Sequence, residues 1–248
     1  MNVSLYQAAS ALSANERWQD AIAQNISASS VPGYKKQDIS FSAVESGLQA
    51  QASPQGGRQP QWVQPLSQVQ TNFSQGELQA TRKATDMAIQ GPGFFEVQRP
   101  DGSLAYTRDG EFGISANGEL VTKSGYPVQG QGGPITIDRN NKDPITVTER
   151  GDVVQGADIR GRIKLMDFNN PALLVQIGGG LFSAAQPGLQ PSPANGSTVR
   201  SGYIEAANTS TMREMTDLIA VMRSSEANQR IIQVQDERMG KVISELGA

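Results

Sequence analysis

Residues 211–246 read TMREMTDLIAVMRSSEANQRIIQVQDERMGKVISEL, which is the longest helical pattern in the chain, with no Pro or Gly before Gly240. Alternating steps of three and four residues trace a half-apolar seam of Leu218, Val221, Ser225, Asn228, Ile232, Gln235, Met239, Val242 and Leu246. A second apolar set, Met215, Ile219 and Met222, widens this face near the start. A helix of this length needs a packing partner, because helix stability in proteins comes mainly from burying a face.

The N-terminal stretch has a matching pattern. The same steps run through Leu5, Ala8, Leu12, Asn15, Gln19, Ile22 and Ile26, and Pro32-Gly33 ends the pattern. Both seams contain an Asn, and such a polar residue tends to define the register of pairing. We predict that the two long terminal helices pair as a coiled-coil-like bundle. The sparse seams favour assembly with copies or relatives, whereas the simpler alternative is a two-helix hairpin that joins the termini of a globular domain.

The segment between the helices predicts β-structure. Asp101-Gly102, Asp109-Gly110 and Asn117-Gly118 are hairpin turn signals that separate short apolar segments, and Thr198 to Glu205 predicts a last strand. The stretch 46–79 is rich in Gln, Ser, Gly and Pro, which favours an extended connector. The fold class is therefore α+β with an inserted antiparallel β-domain. Its predicted parts are a terminal helical domain of 1–31 plus 208–248, an extended connector of 32–82 and a β-rich domain of 83–207.

Composition excludes several functions. The chain has 21 Lys and Arg against 24 Asp and Glu and no basic cluster, which argues against nucleic acid as a partner. It has no Cys and no His, so Cys/His metal sites, thiol chemistry and histidine acid–base catalysis are excluded. No apolar run approaches the roughly 18–20 residues of a membrane span. Met1 to Asn15 contain no Lys or Arg and no continuous apolar core, so we expect no cleavable secretory signal, and export would need another route.

The search for a catalytic or ligand site finds no candidate. The hairpin turns account for Asp101, Asp109 and Asn117. Gly91-Pro92-Gly93 lacks the Lys and Ser/Thr of a phosphate-binding loop. Adjacent strand residues face opposite sides of a sheet, so we expect at least one of Phe94 and Phe95 in the core. We expect no enzymatic activity, cofactor, metal or small-molecule substrate, and no direct membrane insertion.

Three separated blocks of sequence carry a family resemblance. They are AQNISASSVPGYK at 23–35; DMAIQGPGFF at 86–95 with YTRDGEF at 106–112, GELV at 118–121 and Gly125; and GYIEAAN at 202–208 with Glu214-Met215 and RSSEAN at 223–228. Through these blocks the chain resembles the flagellar rod and hook family of bacteria, the axial proteins of the basal body. Two departures, Ala207 in place of the usual Ser and Ser225 in place of an aromatic residue, concern packing.

The resemblance implies a structural subunit without catalysis. The terminal helices would form the inner tube of a hollow helical drive shaft, with the β-domain outside. The partners implied are copies of the chain, other axial proteins and the flagellar type III export apparatus, and the location is the rod that spans the periplasm. Compared with hook proteins the chain is short, and Gly132-Gly133-Pro134-Ile135 is similar to the proximal type of rod subunit, which we favour over the distal type.

We assign candidate residues from the seams and from the blocks. The predicted assembly interface comprises Leu5, Leu12, Ile22, Ile26, Leu218, Val221, Ile232 and Met239. The residues that match family motifs are Asn25, Gly33, Tyr34, Gly91, Gly93, Phe94, Phe95, Tyr106, Arg108, Gly110, Gly202, Glu205 and Asn208. Two other functions stay open at this point. One is a transient assembly or scaffolding factor, and the other is a peptidoglycan- or carbohydrate-binding β-domain that holds a sugar on Tyr106, Phe112 or Tyr126.

Overall fold

The computed structural model describes residues 3–45, 63–186 and 188–246. Contacts group the chain into two units. The first comprises Met1–Ser27, Gln37–Thr71 and Thr211–Ala248, and the second comprises Ala28–Lys36 and Asn72–Ser210. The described parts of the predicted connector at residues 37–45 and 63–71 are thus grouped with the helices. The predicted three-part division of the chain stays a prediction.

The first unit contains two helices and two strands. The helices are α1 (Val3–Ser27) and α2 (Thr211–Leu246), and α2 has the predicted bounds. The strands are β1 (Gln37–Glu45) and β2 (Val63–Thr71), which pair antiparallel with Gln37 opposite Thr71 and Glu45 opposite Val63. Both strands pack against α1, which also packs along α2.

The expectation of a coiled-coil-like bundle is wrong. Two helices are present in the described part of the chain, and α1 packs against a β-sheet as well as against α2. Two parts of the predicted connector, residues 37–45 and 63–71, form the paired strands β1 and β2, which satisfy each other's backbone hydrogen bonds, and residues 46–62 lie outside the described residues. The result is a helix pair with a β-sheet at α1, and the inserted remainder of the chain is mostly β-structure.

The second unit is built from short strands. They are β3 (Leu78–Ala80), β4 (Met87–Gln90), β5 (Phe94–Gln98), β6 (Leu104–Thr107), β7 (Phe112–Ile114), β8 (Leu120–Thr122), β9 (Gln129–Gly130), β10 (Gly133–Pro134), β11 (Ile145–Val147), β12 (Asp152–Gln155), β13 (Asp158–Arg162), β14 (Leu165–Phe168), β15 (Val175–Gly178), β16 (Leu181–Ser183), β17 (Pro191–Pro193), β18 (Thr198–Ser201) and β19 (Tyr203–Glu205). The largest sheet has the antiparallel order β15-β16-β6-β5-β14-β17. A second sheet has the order β11-β12-β13, and the remaining strands pair as β9-β10, β4-β18, β3-β19 and β7-β8.

Two hydrophobic clusters form the core of this unit, and β5 contributes to both. Phe95 belongs to the first cluster, together with Met87, Ile89, Phe112 and several further hydrophobic side chains. Phe94 belongs to the second cluster, where its ring centroid lies 5.8 Å from that of Phe182. Adjacent side chains of a strand point to opposite faces, so one strand can serve two clusters. The prediction that at least one of Phe94 and Phe95 is in the core is confirmed.

The single strand predicted from Thr198 to Glu205 is divided at Gly202. β18 before it pairs with β4, and β19 after it pairs with β3. Gly202 has a φ of +77°, a backbone conformation that residues with a Cβ rarely adopt. Its N–H donates to Asp86 O at 2.8 Å. The glycine therefore redirects the chain from one strand partner to the other.

Candidate assembly interface and buried charge cluster

Most of the predicted interface residues pack inside the helix pair of the first unit. Ile22 and Val221 are buried, and Leu12, Ile26, Leu218 and Ile232 are half-buried. The side chain of Leu5 lies outside the described residues. Their burial is consistent with the packing of α1 against α2 and, for α1, also against β1 and β2. Their part in contacts between subunits stays a prediction.

Two asparagines of α1 set the register of the pair. Asn15 Nδ2 donates to Ser224 Oγ at 3.1 Å, and Asn25 Nδ2 donates to Glu214 Oε2 at 3.1 Å. The two contacts show that the helices run antiparallel. Asn25 is buried and also bonds the backbone of Gln37, accepting from its N–H at 2.8 Å and donating to its carbonyl oxygen at 2.9 Å. One side chain thus joins α1, α2 and β1.

Beside the seam, α2 exposes an apolar row, which we call the Met stripe. It consists of Met212, Met215, Ile219 and Met222, with exposed fractions of 81, 52, 54 and 51%. Their spacing of three and four residues places them on one side of the helix. Isolated exposed hydrophobic residues are common on protein surfaces, whereas a contiguous row is typical of an interaction site.

The C-terminal part of α2 extends past the start of α1. The two asparagine contacts place Val3, the first residue of α1, opposite about Asp236. Met239 was predicted in the seam, but it is 49% exposed because it lies beyond this point. Val242, one turn further on, is also exposed. The seam of α2 therefore continues without a covering partner in the described residues.

In the second unit, three charged side chains form a buried cluster, which we call the Glu205 cluster. Glu205 Oε1 lies 2.5 Å from Lys35 Nζ, and its Oε2 lies 3.3 Å from Arg108 Nη1. Gly76 N–H also donates to Glu205 Oε1 at 2.8 Å. The side chains of Lys35, Arg108 and Glu205 are 1, 6 and 0% exposed. Charges removed from water in this way are tolerated only when they are paired and hydrogen-bonded.

The cluster joins segments that are distant in sequence. Lys35 Nζ donates to Ser74 O at 2.7 Å, and Arg108 Nη2 donates to Gly91 O at 2.8 Å. The guanidinium carbon of Arg108 lies 5.3 Å from the centroid of the Phe94 ring, within range of a cation–π interaction. These contacts hold together four segments, which lie before β1, after β2, before β5 and at the end of β19.

Burial and charge pairing act against each other in this cluster. Burial lowers the pKa of Lys35, and the neighbouring Glu205 carboxylate opposes that shift. Burial likewise lowers the pKa of Arg108, again opposed by Glu205. Arg108 Nε is buried and has no hydrogen-bond partner among the described residues. One carboxylate therefore compensates two cations, which makes Glu205 the member whose loss would be most damaging.

Several family-motif residues surround this cluster. Gly33 N–H donates to Glu205 O at 2.7 Å, and Asn208 N–H donates to Tyr34 O at 3.2 Å. Gly33 has a φ of +68°, and a Cβ added to it would lie 2.3 Å from the carbonyl carbon of Arg108. Glycine is required here by both conformation and space. The structure thus brings Gly33, Tyr34, Arg108, Glu205 and Asn208 into one region.

The other family-motif residues have structural positions elsewhere. Gly91 and Gly93 adopt positive φ angles in the turn before β5, and a Cβ on Gly110 would lie 1.5 Å from Met87 O. Phe94 and Tyr106 lie in one hydrophobic cluster and Phe95 in the other. Asn25 belongs to the first unit and Gly202 divides the last two strands.

Lys35 is the residue of the cluster that our site assignment omitted. It is separated from Glu205 by 170 residues, and nothing in its local sequence indicates that partner. A charged residue directly after the Pro-Gly-Tyr turn was the available signal. Such a residue is far more often solvated than buried, so the pairing required the tertiary structure.

The sugar platform proposed for the β-domain does not fit the structure. The rings of Tyr106 and Phe112 are buried in the hydrophobic clusters, and only Tyr126 is half-buried. Burial and the charge of Glu96 raise the pKa of Tyr106 to about 12, as expected for a core phenol. In the described part of the chain, no three Asp or Glu side chains are arranged to hold a metal ion. Neither described helix is long and apolar enough to cross a membrane.

The helices at the two ends of the chain pack against each other, and the segment between them in the sequence is mostly β-structure. Two family models match this chain: the flagellar hook protein FlgE/F/G D1 domain at residues 88–155, and the flagellar basal body rod FlgEFG protein C-terminal at residues 200–245. The chain is 33% identical over 256 residues to the flagellar basal-body rod protein FlgG of Borreliella burgdorferi, covering 96% of each. It is 32% identical over 248 residues to the rod protein FlgF of Caulobacter vibrioides, covering 100% of this chain and 99% of the relative.

These similarities show that the chain belongs to the flagellar basal-body rod proteins. It is a structural subunit of the rod, and its location is the flagellar basal body. The predicted resemblance to the rod and hook family is confirmed. Because FlgG and FlgF proteins are similar to the chain at nearly equal identity, the preference for the proximal type stays a prediction.

Proposed function

We propose that this subunit assembles head-to-tail with copies of itself and with other axial proteins into a hollow helical shaft that transmits torque and passes exported subunits. The Met stripe is the observation that carries the proposal. Each of its side chains would contribute about 1.5–3 kcal/mol if it became fully buried. A contact between different surfaces of successive subunits that does not close into a ring produces a filament.

The uncovered seam of α2 supports the head-to-tail arrangement. Met239 and Val242 lie beyond the start of α1 and are exposed. A neighbouring subunit that covers this part of α2 would use a different surface from the Met stripe. Two separate apolar surfaces on one helix suit a subunit with neighbours on more than one side. The predicted interface residues Leu5, Leu12, Ile22, Ile26, Leu218, Val221 and Ile232 would hold the helix pair that presents these surfaces.

The remaining parts of the proposal rest on the family resemblance. The subunit acts without catalysis, cofactor, nucleic acid or small-molecule substrate and without insertion into a membrane. It leaves the cytoplasm through the flagellar type III export apparatus with an uncleaved N-terminal signal. Its location is the part of the rod that spans the periplasm, and the proximal type is favoured.

A triple variant tests the role of the Met stripe. Met215→Gln, Ile219→Gln and Met222→Gln remove the apolar surface while retaining helix propensity. The matched control replaces three exposed residues of the second unit, Leu104, Val175 and Ile177, with Gln. In cells that lack the native gene, we expect the control to restore rods and swimming and the stripe variant to restore neither. Circular dichroism of both purified proteins must show native helix content.

Intact rods built from the folded stripe variant would overturn the proposal. Basal bodies purified from cells with the native protein answer a separate question. Detection of the subunit in the finished structure would support a rod component, whereas its absence would favour a transient assembly or scaffolding factor.

A further inference from the structure

The sequence contains the same tripeptide, Ala-Asn-Gly, at 116–118 and at 194–196. An Asn followed by Gly can react with its own backbone, because the nitrogen of the Gly can approach the side-chain amide carbon of the Asn without hindrance from a Cβ. Since the local sequence is identical, the intrinsic reactivity of the two sites is closely matched. Their surroundings in the fold differ, and we expect this difference to give the two sites different reaction rates.

At the first site the nucleophilic nitrogen is held in place. Gly118 is buried in the turn between β7 and β8, and its N–H donates to Ser115 O at 3.0 Å. Its carbonyl oxygen accepts from Ile137 N–H at 2.7 Å. A Cβ on Gly118 would lie 2.5 Å from Ile137 O, so the backbone has little room to move. Attack on Asn117 therefore requires this turn to open first.

The second site has none of these restraints. Asn195 and Gly196 are both exposed in the turn between β17 and β18. Within the described residues, neither of them makes a hydrogen bond. No atom lies within 4 Å of the position that a Cβ on Gly196 would occupy. The Gly196 nitrogen can thus rotate toward the Asn195 side chain without breaking native contacts.

We infer that Asn195 is a site of spontaneous deamidation in the folded protein and that Asn117 is protected. The Gly196 nitrogen forms a bond to Cγ of Asn195 and loses its proton to solvent. The side-chain nitrogen takes up a proton and leaves as ammonia, which produces a five-membered succinimide. Water then opens the ring at either carbonyl and gives aspartate or isoaspartate. The net reaction consumes one water and releases one ammonia.

The modification changes a turn that leads into a paired strand. Either product introduces a carboxylate at residue 195, two positions before Ser197, whose hydroxyl donates to Pro92 O. Isoaspartate also adds a methylene group to the main chain just before β18, which pairs with β4. The unit would therefore gain negative charge and, in part of the molecules, an altered path between β17 and β18.

Peptide mapping by mass spectrometry tests the inference on the purified full-length chain. The protein is incubated in mildly alkaline buffer, and the conversion of Asn to Asp or isoaspartate is followed at both sites. We expect Asn195 to react at least about tenfold faster than Asn117, because reaction at Asn117 requires local opening. In guanidinium the two sites should react at comparable rates, since the same tripeptide is then free of the fold.

Two controls make the outcome decisive. Asn195→Gln should abolish the mass change in the second peptide and leave the first unchanged. Methylation by an isoaspartyl methyltransferase with S-adenosylmethionine should label the native protein and not this variant. Equal rates at the two sites in the folded protein would overturn the inference. So would an Asn195 that reacts only after unfolding.

Discussion

The exposed hydrophobic residues of the two units differ in their arrangement. In the first unit, Met212, Met215, Ile219 and Met222 form one continuous row on α2. In the second unit, exposed residues such as Leu104, Ile159 and Val175 lie on separate strands, and buried charges are paired within the Glu205 cluster. The comparison indicates that the second unit pairs the buried charges of the Glu205 cluster internally, whereas the first unit presents an apolar surface that a neighbour could cover.

The largest expected effect tests the internal pairing of the second unit. Glu205→Gln retains the shape of the side chain but leaves Lys35 and Arg108 buried without a carboxylate. We expect the free energy of unfolding to fall by about 3–5 kcal/mol, the range for breaking a buried ion pair. Urea denaturation followed by fluorescence measures the change.

Asp158→Asn is the control for that measurement. The Asp158 side chain is 70% exposed, and its Oδ2 lies 3.5 Å from Arg160 Nη2. Loss of this exposed ion pair should change the free energy of unfolding by less than about 1 kcal/mol. If Glu205→Gln were no more destabilising than this control, the Glu205 cluster would not contribute to the stability of the unit.

A smaller effect of opposite sign is expected at Asp109. Burial, with smaller contributions from the carboxylates of Glu111 and Asp86, raises the pKa of Asp109 to about 6, against the opposing effects of the hydrogen bond from Glu111 N–H and of Lys123. In the unfolded chain the pKa of an Asp carboxyl is about 3.9. Between pH 4 and pH 6, roughly, the folded protein therefore binds more protons at Asp109 than the unfolded chain does. The free energy of unfolding falls as the pH rises through this range. Asp109→Asn should remove this dependence and stabilise the protein by up to about 3 kcal/mol above pH 6.

Thermal or urea unfolding across this pH range measures the effect. The Asn side chain retains an oxygen for the Glu111 N–H, which Asp109 Oδ1 accepts at 2.9 Å. Asp158→Asn again serves as the exposed control and should leave the profile unchanged. An unchanged pH profile in Asp109→Asn would show that this carboxyl does not titrate abnormally.

The smallest effect on monomer stability is expected for the Met stripe. The triple Gln variant should change the free energy of unfolding by no more than about 1.5 kcal/mol, since an exposed substitution without special contacts changes it by at most about 0.5 kcal/mol. Hydrogen exchange should show slower exchange for β5 and β6 than for α2 in the monomer. A large loss of stability would mean that the stripe is packed within the single chain and is not a surface for a neighbour.

Local patterns were sufficient for some elements of the fold. The bounds of α2 follow from an unbroken apolar period, and the turns at Asp101-Gly102 and Asn117-Gly118 follow from residues that favour positive φ. Seam positions such as Ile22 and Val221 are buried, whereas Met239 and Val242 are exposed, and the part of the seams in an assembly interface stays a prediction. These features depend on residues a few positions apart, which is the range over which sequence patterns are informative.

Other features depend on partners that are distant in sequence. The pairing of β1 with β2 was not expected from a Gln-rich segment, because strand pairing depends on both partners and on what covers them. The division of the last strand at Gly202 became clear only with β3 and β4 in place.

The sequence alone determined two terminal helices, an inserted β-rich segment and the rod family, because these follow from periodicity, turn residues and motifs along the chain. The tertiary structure decided which face of α2 is covered, how Lys35 and Arg108 share Glu205, and which of two identical Ala-Asn-Gly segments is held in place. The physical reason is the same in each case. Coverage, charge compensation and restraint arise from groups that folding brings together from distant parts of the chain.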